Sequence, residues 1–348
     1  MEFSINKRII GENCDPYIIA EISANHNGDI GIAKASIISA KNHGADAVKL
    51  QTYTPDTMTI DCNKDDFLIK DGLWKGNNLY GLYQQAYTPF EWHEDLFSLA
   101  KDIGITCFSS PFDESAVDLL ESVNVPAYKI ASFEVTDLTL LKSIAATKKP
   151  VIMSTGMANL DEIDEAVNTL YENGTSQLAI LHCVSGYPTT PEYANLKTIT
   201  DLKNRYKCEV GLSDHTLTHS TAITSIALGA SIIEKHFIID PSIGGPDSSF
   251  SITPEQLREL KTLTSEASSS IGKVNYELKG DEKNMIKFRR SLYAVKDIKS
   301  GEVFTKDNMR RIRPGFGIEP KHYESVIGKT AKCDISFGTA LKWDLIDR

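Results

Sequence analysis

The 348 residues include 41% hydrophobic side chains, enough to build one large core and a smaller second one. A formal net charge of −10 argues against a nucleic-acid or anionic-membrane surface over the whole protein, while leaving room for a local basic pocket. No apolar run of about 18 residues is present, so a transmembrane helix is not expected, and residues 1–8 are polar and charged with no apolar segment behind them. The six cysteines are scattered and form no Cys-x-x-Cys pair, which reads as buried free thiols in a reducing, cytoplasmic setting rather than a zinc ribbon or redox dithiol.

In chain order, short apolar runs alternate with amphipathic stretches. The runs span 17–23, 47–53, 106–111, 127–132, 150–155, 178–185, 208–214 and 231–239. Helical stretches follow them at 31–43, 90–102, 113–122, 137–145, 160–173, 195–202, 221–228 and 254–268. Eight strand–helix units predict an α/β fold, a (β/α)₈ TIM barrel, whose strands are apolar on both faces because both faces are covered. A doubly wound open sheet is the alternative, but no Gly-rich fingerprint follows the first strand. Residues 54–88 form a long connection, read as a substrate wall or as a plain surface insertion. Alternation then stops. The expected organisation is a barrel over 1–270, a linker over 271–287 and a small β-rich domain over 288–348 with little core of its own.

Polar residues cluster where the barrel strands end, the face that carries active sites in this fold. His215 and His236 close adjacent strands and can together bind a divalent transition metal, or act without one. Asp214 can orient them or compete as a ligand. Lys49, Lys129 and Lys235 sit inside apolar runs, where a charge needs a partner. Three of them suggest a compact anion such as a phosphate bearing a carboxylate, with Ser109, Ser110 and Ser132 as hydroxyl donors; pairing with Glu21, Glu134 or Glu234 is the other reading. Glu21 and Glu134 across one mouth permit acid–base chemistry, and Asn25 and His26 add polar groups beside Glu21. The glycines of Gly244-Gly245-Pro246-Asp247 allow a tight loop that brings Asp247 inward. Arg289-Arg290 and Arg310-Arg311-Ile312-Arg313 supply a clamp, a solvated face or a dimer contact.

The motifs Ala20-Glu21-Ile22-Ser23-Ala24-Asn25-His26-Asn27-Gly28, Lys129-Ile130-Ala131-Ser132, Gly211-Leu212-Ser213-Asp214-His215 and Glu234-Lys235-His236-Phe237 together resemble the sialic acid synthase family over nearly the whole chain. Phe288-Arg289-Arg290-Ser291 and Arg313-Pro314-Gly315 resemble that family's antifreeze-like (SAF) domain. Within the family, Lys49-Leu50-Gln51-Thr52-Tyr53, Phe108-Ser109-Ser110-Pro111-Phe112-Asp113 and Gly244 to Ser251 look most like the branch that makes pseudaminic acid. Ser185 fits that branch, whereas Gly186 departs from its pattern. The resemblance implies condensation of phosphoenolpyruvate with 2,4-diacetamido-2,4,6-trideoxy-L-altrose and water, with release of phosphate by C–O cleavage; a manno-configured amino sugar, giving N-acetylneuraminate or legionaminate, is the alternative. It further implies a divalent metal on His215 and His236, Mn²⁺ first with Mg²⁺ or Co²⁺ as alternatives. Lys49, Lys129, Ser132, Ser213 and Ser109 or Ser110 would hold phosphoenolpyruvate. Gln51, Tyr187 and Asp247 would line the sugar site, and Ser185 would also bind substrate. Glu21 and Glu134 would lie near the reacting groups, and Arg313 would come from the second subunit of a domain-exchanged homodimer. The expected setting is cytoplasmic nonulosonic acid biosynthesis for polysaccharide or flagellin glycosylation, with no nucleic-acid or membrane partner.

Overall fold

The computed structural model describes residues 2–347. The chain divides after Gly272 into two compact units.

The first unit opens with a hairpin, β1 (Phe3–Ile5) and β2 (Arg8–Ile10), that composition did not foreshadow. Phe3, Ile5 and Ile10 are buried in the barrel core, and Ser4 donates its backbone N–H to Gln177 at 2.7 Å. Arg8 then pairs with Asp46. Eight parallel strands follow: β3 (Tyr17–Glu21), β4 (Ala47–Thr52), β5 (Thr106–Pro111), β6 (Tyr128–Ile130), β7 (Val151–Ser154), β8 (Leu178–Cys183), β9 (Glu209–Ser213) and β10 (Ile232–His236). They run in sequence order around a closed barrel, shut by pairing of β10 with β3 from Ile232↔Tyr17 to His236↔Glu21. The barrel expectation holds.

Helices cover the barrel: α1 (Ile30–Asn42), then α2 (Pro55–Met58) and α3 (Leu79–Ala86) within the long connection, then α4 (His93–Ile103), α5 (Glu114–Ser122), α6 (Leu138–Ala146), α7 (Leu160–Glu172), α8 (Lys197–Tyr206), α9 (Ser220–Ala227) and α10 (Pro254–Ile271). Their starts follow local chemistry. Asp29 accepts the N–H groups of Gly31 and Ile32 before α1; Asn159 and Glu162 form a reciprocal capping box on α7, as do Thr253 and Gln256 on α10. The buried stripe of α7, Ile163, Ala166, Val167 and Leu170, has the spacing of one helix face. The long connection is not structureless: Thr54 and Pro55 start α2, and Asn78 caps α3 through the Gly81 N–H. Among the described residues no helix is long and apolar enough to cross a membrane. All six cysteines are free.

The second unit contains α11 (Glu282–Met285), the antiparallel pair β11 (Ser291–Ala294) and β12 (Met309–Ile312), and α12 (Tyr323–Val326). Single bridges Tyr293↔Ala340, Ile298↔Ile335 and Val303↔Thr330 extend the β framework. Here the expectation of little core is corrected. Leu292, Phe304, Met309, Val326 and Leu341 are fully buried in a cluster of their own, because the strands bring together apolar residues that look isolated in sequence.

Candidate active site

Strand alternation decides what enters the barrel mouth. On β4, Lys49 and Gln51 face inward; Glu21 pairs with Lys49 in register, and Gln51 with Ser110. Lys49 Nζ lies 3.1 Å from Glu21 Oε2 and 3.1 Å from Glu234 Oε1. Lys129 Nζ lies 3.6 Å from the same Glu234 oxygen and donates to Ser154 Oγ at 2.7 Å. Ser213 donates to Glu234 at 3.3 Å. Two cations and two carboxylates therefore share one desolvated cluster.

Burial opposes the charge on Lys49, but Glu21 and Glu234 outweigh it and raise its pKa. Burial lowers Lys129, with Glu234 opposing. It raises Glu21, offset by Lys49, and would raise Glu234 too, had Lys129 and Lys49 not pulled that group below its ordinary value. Glu134, in the turn after β6, is pushed up to about 7 by burial. Glu134 Oε2, Glu234 Oε2 and Ser110 Oγ are buried without a hydrogen-bond partner, as expected of groups that serve a ligand.

The opposite side of the mouth is aromatic. Ring centroids of His215 and His236 are 5.5 Å apart. Tyr187 packs 4.3 Å from His215 and 5.2 Å from Phe250, which lies 4.9 Å from His236. Trp74, from the long connection, sits 6.0 Å from Tyr187 and donates its indole N–H to the Pro246 carbonyl at 3.1 Å. Asp247 accepts the Ser23 hydroxyl at 2.5 Å, and Gln51 bridges Glu21 and Ser23 at 2.9 Å each. Burial raises the pKa of Asp247, with Ser23 opposing.

His215 Nδ1–H donates to the Val184 carbonyl at 2.9 Å, so Nε2 is the nitrogen that offers a lone pair once the ring is neutral. His236 is held well below its ordinary pKa by burial and the neighbouring cations, and its buried Nδ1 has no hydrogen-bond partner. Burial would lower His215, but the Cys183 thiol and the Val184 carbonyl raise its pKa above the ordinary value, so His215 gives up its Nε2 proton before it and the neutral His236 can together hold a divalent ion whose other positions go to water or substrate. Among the described residues no group of three or more His, Cys, Asp or Glu side chains encloses such an ion.

Gly156 marks a third convergence. A Cβ there would lie 2.2 Å from Ser132 Cβ and 2.8 Å from Ser185 Oγ, at a φ of +46°. Only glycine lets the β7 turn approach both hydroxyls. Beside it a cavity of about 630 Å³ runs past Cys183, Ser185, Thr189 and Asn195. A larger hollow, about 1250 Å³, lies between α4 and α5 at the N-terminal end of β5 and holds none of the charged cluster.

Several expected residues do not join the mouth. Lys235 alternates outward from Glu234 and His236; it pairs with Asp214 at 2.8 Å and also donates to the Thr218 carbonyl at 3.3 Å, so it is no anion binder and Asp214 is committed to it. Ser109 also faces outward, 2.6 Å from Thr52 Oγ1, which leaves Ser110 as the inward hydroxyl of that pair. His26 is lowered to about 4 by burial and spends both nitrogens locally, on Gly28 N–H at 3.1 Å and Thr88 Oγ1 at 3.2 Å. Asn25 donates to the Phe237 carbonyl and Ser251. Arg313, expected to act from a second subunit, lies just after β12 in the second unit of this chain, which leaves that expectation as it stood. Glu234, expected as a possible partner of the lysines, does meet Lys49 and Lys129, whereas Ser154, Ser23 and Trp74 were absent from the expected set. Alternation across Glu234-Lys235-His236 was the available signal for Glu234, whereas nothing local marks Trp74.

The sequence profile of the NeuB family matches residues 36–276, and that of the SAF domain matches residues 289–347. The pseudaminic acid synthase of Campylobacter jejuni subsp. jejuni serotype O:23/36 is 46% identical, covering 94% of this chain and 95% of its own length. The pseudaminic acid synthase of Helicobacter pylori is 42% identical over 96% and 98% of the two chains. Among solved structures, the N-acetylneuraminic acid (sialic acid) synthetase of Leptospira borgpetersenii serovar Hardjo-bovis, in complex with citrate, superposes with a TM-score of 0.74 at 31% identity, covering 83% of this chain and 96% of that one.

Proposed function

The chain belongs to the NeuB family, and on that premise we propose that it condenses phosphoenolpyruvate with 2,4-diacetamido-2,4,6-trideoxy-L-altrose and water, giving pseudaminic acid and phosphate. The observation that carries the condensation is the desolvated Lys49–Glu234–Lys129 cluster, flanked by the unpartnered hydroxyl of Ser110. Two buried lysines beside converging hydroxyls suit a small ligand with two anionic groups. The altro sugar is supported by similarity to two pseudaminic acid synthases over almost their full lengths.

In this reading Lys49 and Lys129 hold the phosphate and carboxylate, with Ser110, Ser132, Ser185 and Ser213 as hydroxyl donors. Gln51, Tyr187 and Asp247 orient the open-chain sugar against the aromatic wall. His215 and His236 would hold a divalent ion, Mn²⁺ first and Mg²⁺ or Co²⁺ as alternatives, which supplies Lewis-acid polarisation of the aldehyde. Carbon 3 of phosphoenolpyruvate bonds to the aldehyde carbon, and the carbonyl oxygen takes the displaced electron pair and then a proton. Positive character at carbon 2 is stabilised by Glu134 and Glu21. Water adds to carbon 2, and Glu21, raised by burial to suit a base near neutrality, takes its proton. The carbon-2 hydroxyl then becomes the keto carbonyl as the C–O bond to phosphate breaks; the electron pair leaves on the phosphate oxygen, which takes the hydroxyl proton, and the lysines stabilise the departing anion. In this reading Arg313 acts in a domain-exchanged homodimer.

Phosphate release tests the reading when measured in parallel with the altro sugar, N-acetylmannosamine and 2,4-diacetamido-2,4,6-trideoxymannose, with and without EDTA. EDTA-sensitive release with the altro sugar is expected. Preference for either manno sugar would overturn the substrate, and silence with all three would overturn the condensation.

A further inference from the structure

His93, the first residue of α4, is fully buried although nothing in the reaction uses it. Its Nδ1 lies 3.1 Å from the Pro89 carbonyl, and its Nε2 lies 2.8 Å from Thr52 Oγ1. A carbonyl only accepts, so Nδ1 carries the proton and Nε2 of the neutral ring must accept. Thr52 therefore donates to His93, and its oxygen accepts from Ser109, 2.6 Å away. The direction of the whole chain, Ser109 to Thr52 to His93 to Pro89, follows from that one carbonyl. Burial lowers the pKa of His93, which keeps the ring in the required neutral form.

The chain runs along the outer face of the β4 and β5 ends. Each outward residue is the neighbour of an inward one: Thr52 follows Gln51, and Ser109 precedes Ser110. Gln51 and Ser110 are in-register partners across the two strands, Gln51 touching Glu21 and Ser110 holding an unpartnered hydroxyl. In a pleated strand, fixing the rotation of one residue fixes that of the next.

We propose that His93 is a positioning residue: through Thr52 and Ser109 it locks the ends of β4 and β5 so that Ser110 faces the bound phosphoenolpyruvate and Gln51 the sugar beside it. The inference rests on the condensation reading above. It makes His93 more than a satisfied core histidine, because loss of its acceptor nitrogen loosens the ligand face as well as the fold.

The test is phosphoenolpyruvate binding by calorimetry, alongside melting temperature, in the full chain. His93→Leu and Thr52→Val each remove one link while keeping the volume; His93→Gln restores an acceptor oxygen towards Thr52. His93→Leu and Thr52→Val are each expected to weaken phosphoenolpyruvate binding about tenfold, the equilibrium equivalent of one lost buried hydrogen bond. The double variant is expected to be no weaker than the worse single one, since both cut the same chain. His93→Gln is expected to recover most of the affinity. Lower melting temperatures with wild-type binding in both single variants would overturn the positioning role, and Thr52→Val decides the matter if His93→Leu does not fold. Wild-type protein that binds no phosphoenolpyruvate would overturn the condensation reading and this inference with it; wild-type binding that both variants share would overturn this inference alone.

Discussion

Glu134 is a carboxyl whose ordinary proton affinity has been changed by its place in the chain. Burial in the turn after β6 raises it to about 7, so it gains its charge across the neutral range. Lys129 moves the other way, its charge weakened by desolvation. A base limb should therefore appear as Glu134 ionises near 7, because the anion stabilises positive character at carbon 2. A falling limb should follow at higher pH as Lys129 loses its proton and its hold on phosphoenolpyruvate. Glu134→Gln is expected to lower kcat/KM by about a hundredfold and to remove the limb near 7, measured as a pH profile of kcat/KM for phosphoenolpyruvate. An unchanged limb in that variant would assign the ionisation elsewhere, with Glu21 next. At this scale the sequence was legible where residue type alone carried the message. Lysines inside apolar runs had to meet anions, and Lys49 and Lys129 do. It was less legible where two adjacent residues of one type point opposite ways, as with Ser109 and Ser110.

Strands turn that ambiguity into geometry. In β10 the order Glu234-Lys235-His236 sends the first and third side chains to the mouth and the second to Asp214. Both members of the Lys235–Asp214 pair are almost fully buried. Lys235→Met is thus expected to cost about 3–5 kcal/mol in denaturant unfolding, by leaving a buried carboxylate unpaired. Its KM for phosphoenolpyruvate should stay at the wild-type value, whereas a raised KM would return Lys235 to the binding set. At the end of β7, Gly156→Ala should do the reverse. The added Cβ collides with Ser132 and Ser185 in a left-handed turn, so kcat/KM should fall by about a hundredfold from misplaced hydroxyls. Wild-type kinetics in that variant would remove Ser132 and Ser185 from the binding set. The eight strand–helix units were readable because each strand lies in a mostly apolar run set off from the helical stretches by caps and glycines. The hairpin β1–β2 was not, because only three of its residues are buried and its charged Arg8 is matched by Asp46, far along the chain. Trp74 was equally invisible, since its partners Tyr187 and Pro246 belong to other loops.

At the scale of the whole molecule, each unit carries its own core, that of the second built on Leu292, Phe304, Met309 and Leu341. A chain ending at Gly272 is expected to keep a cooperative thermal transition and to bind phosphoenolpyruvate, while turnover collapses with the loss of Arg313. Full turnover by the truncated chain would exclude Arg313 from the site. Two units were legible from the break in strand–helix alternation, but the independent core of the second was not, because its apolar residues are spread among charged ones and converge only on folding. In the proposed condensation, phosphate leaves with the oxygen that joined it to carbon 2. Phosphoenolpyruvate labelled with ¹⁸O at that bridging position tests it most directly, with the released phosphate read by mass spectrometry. The label is expected to leave in phosphate; unlabelled phosphate would show that the P–O bond had broken and would overturn C–O cleavage.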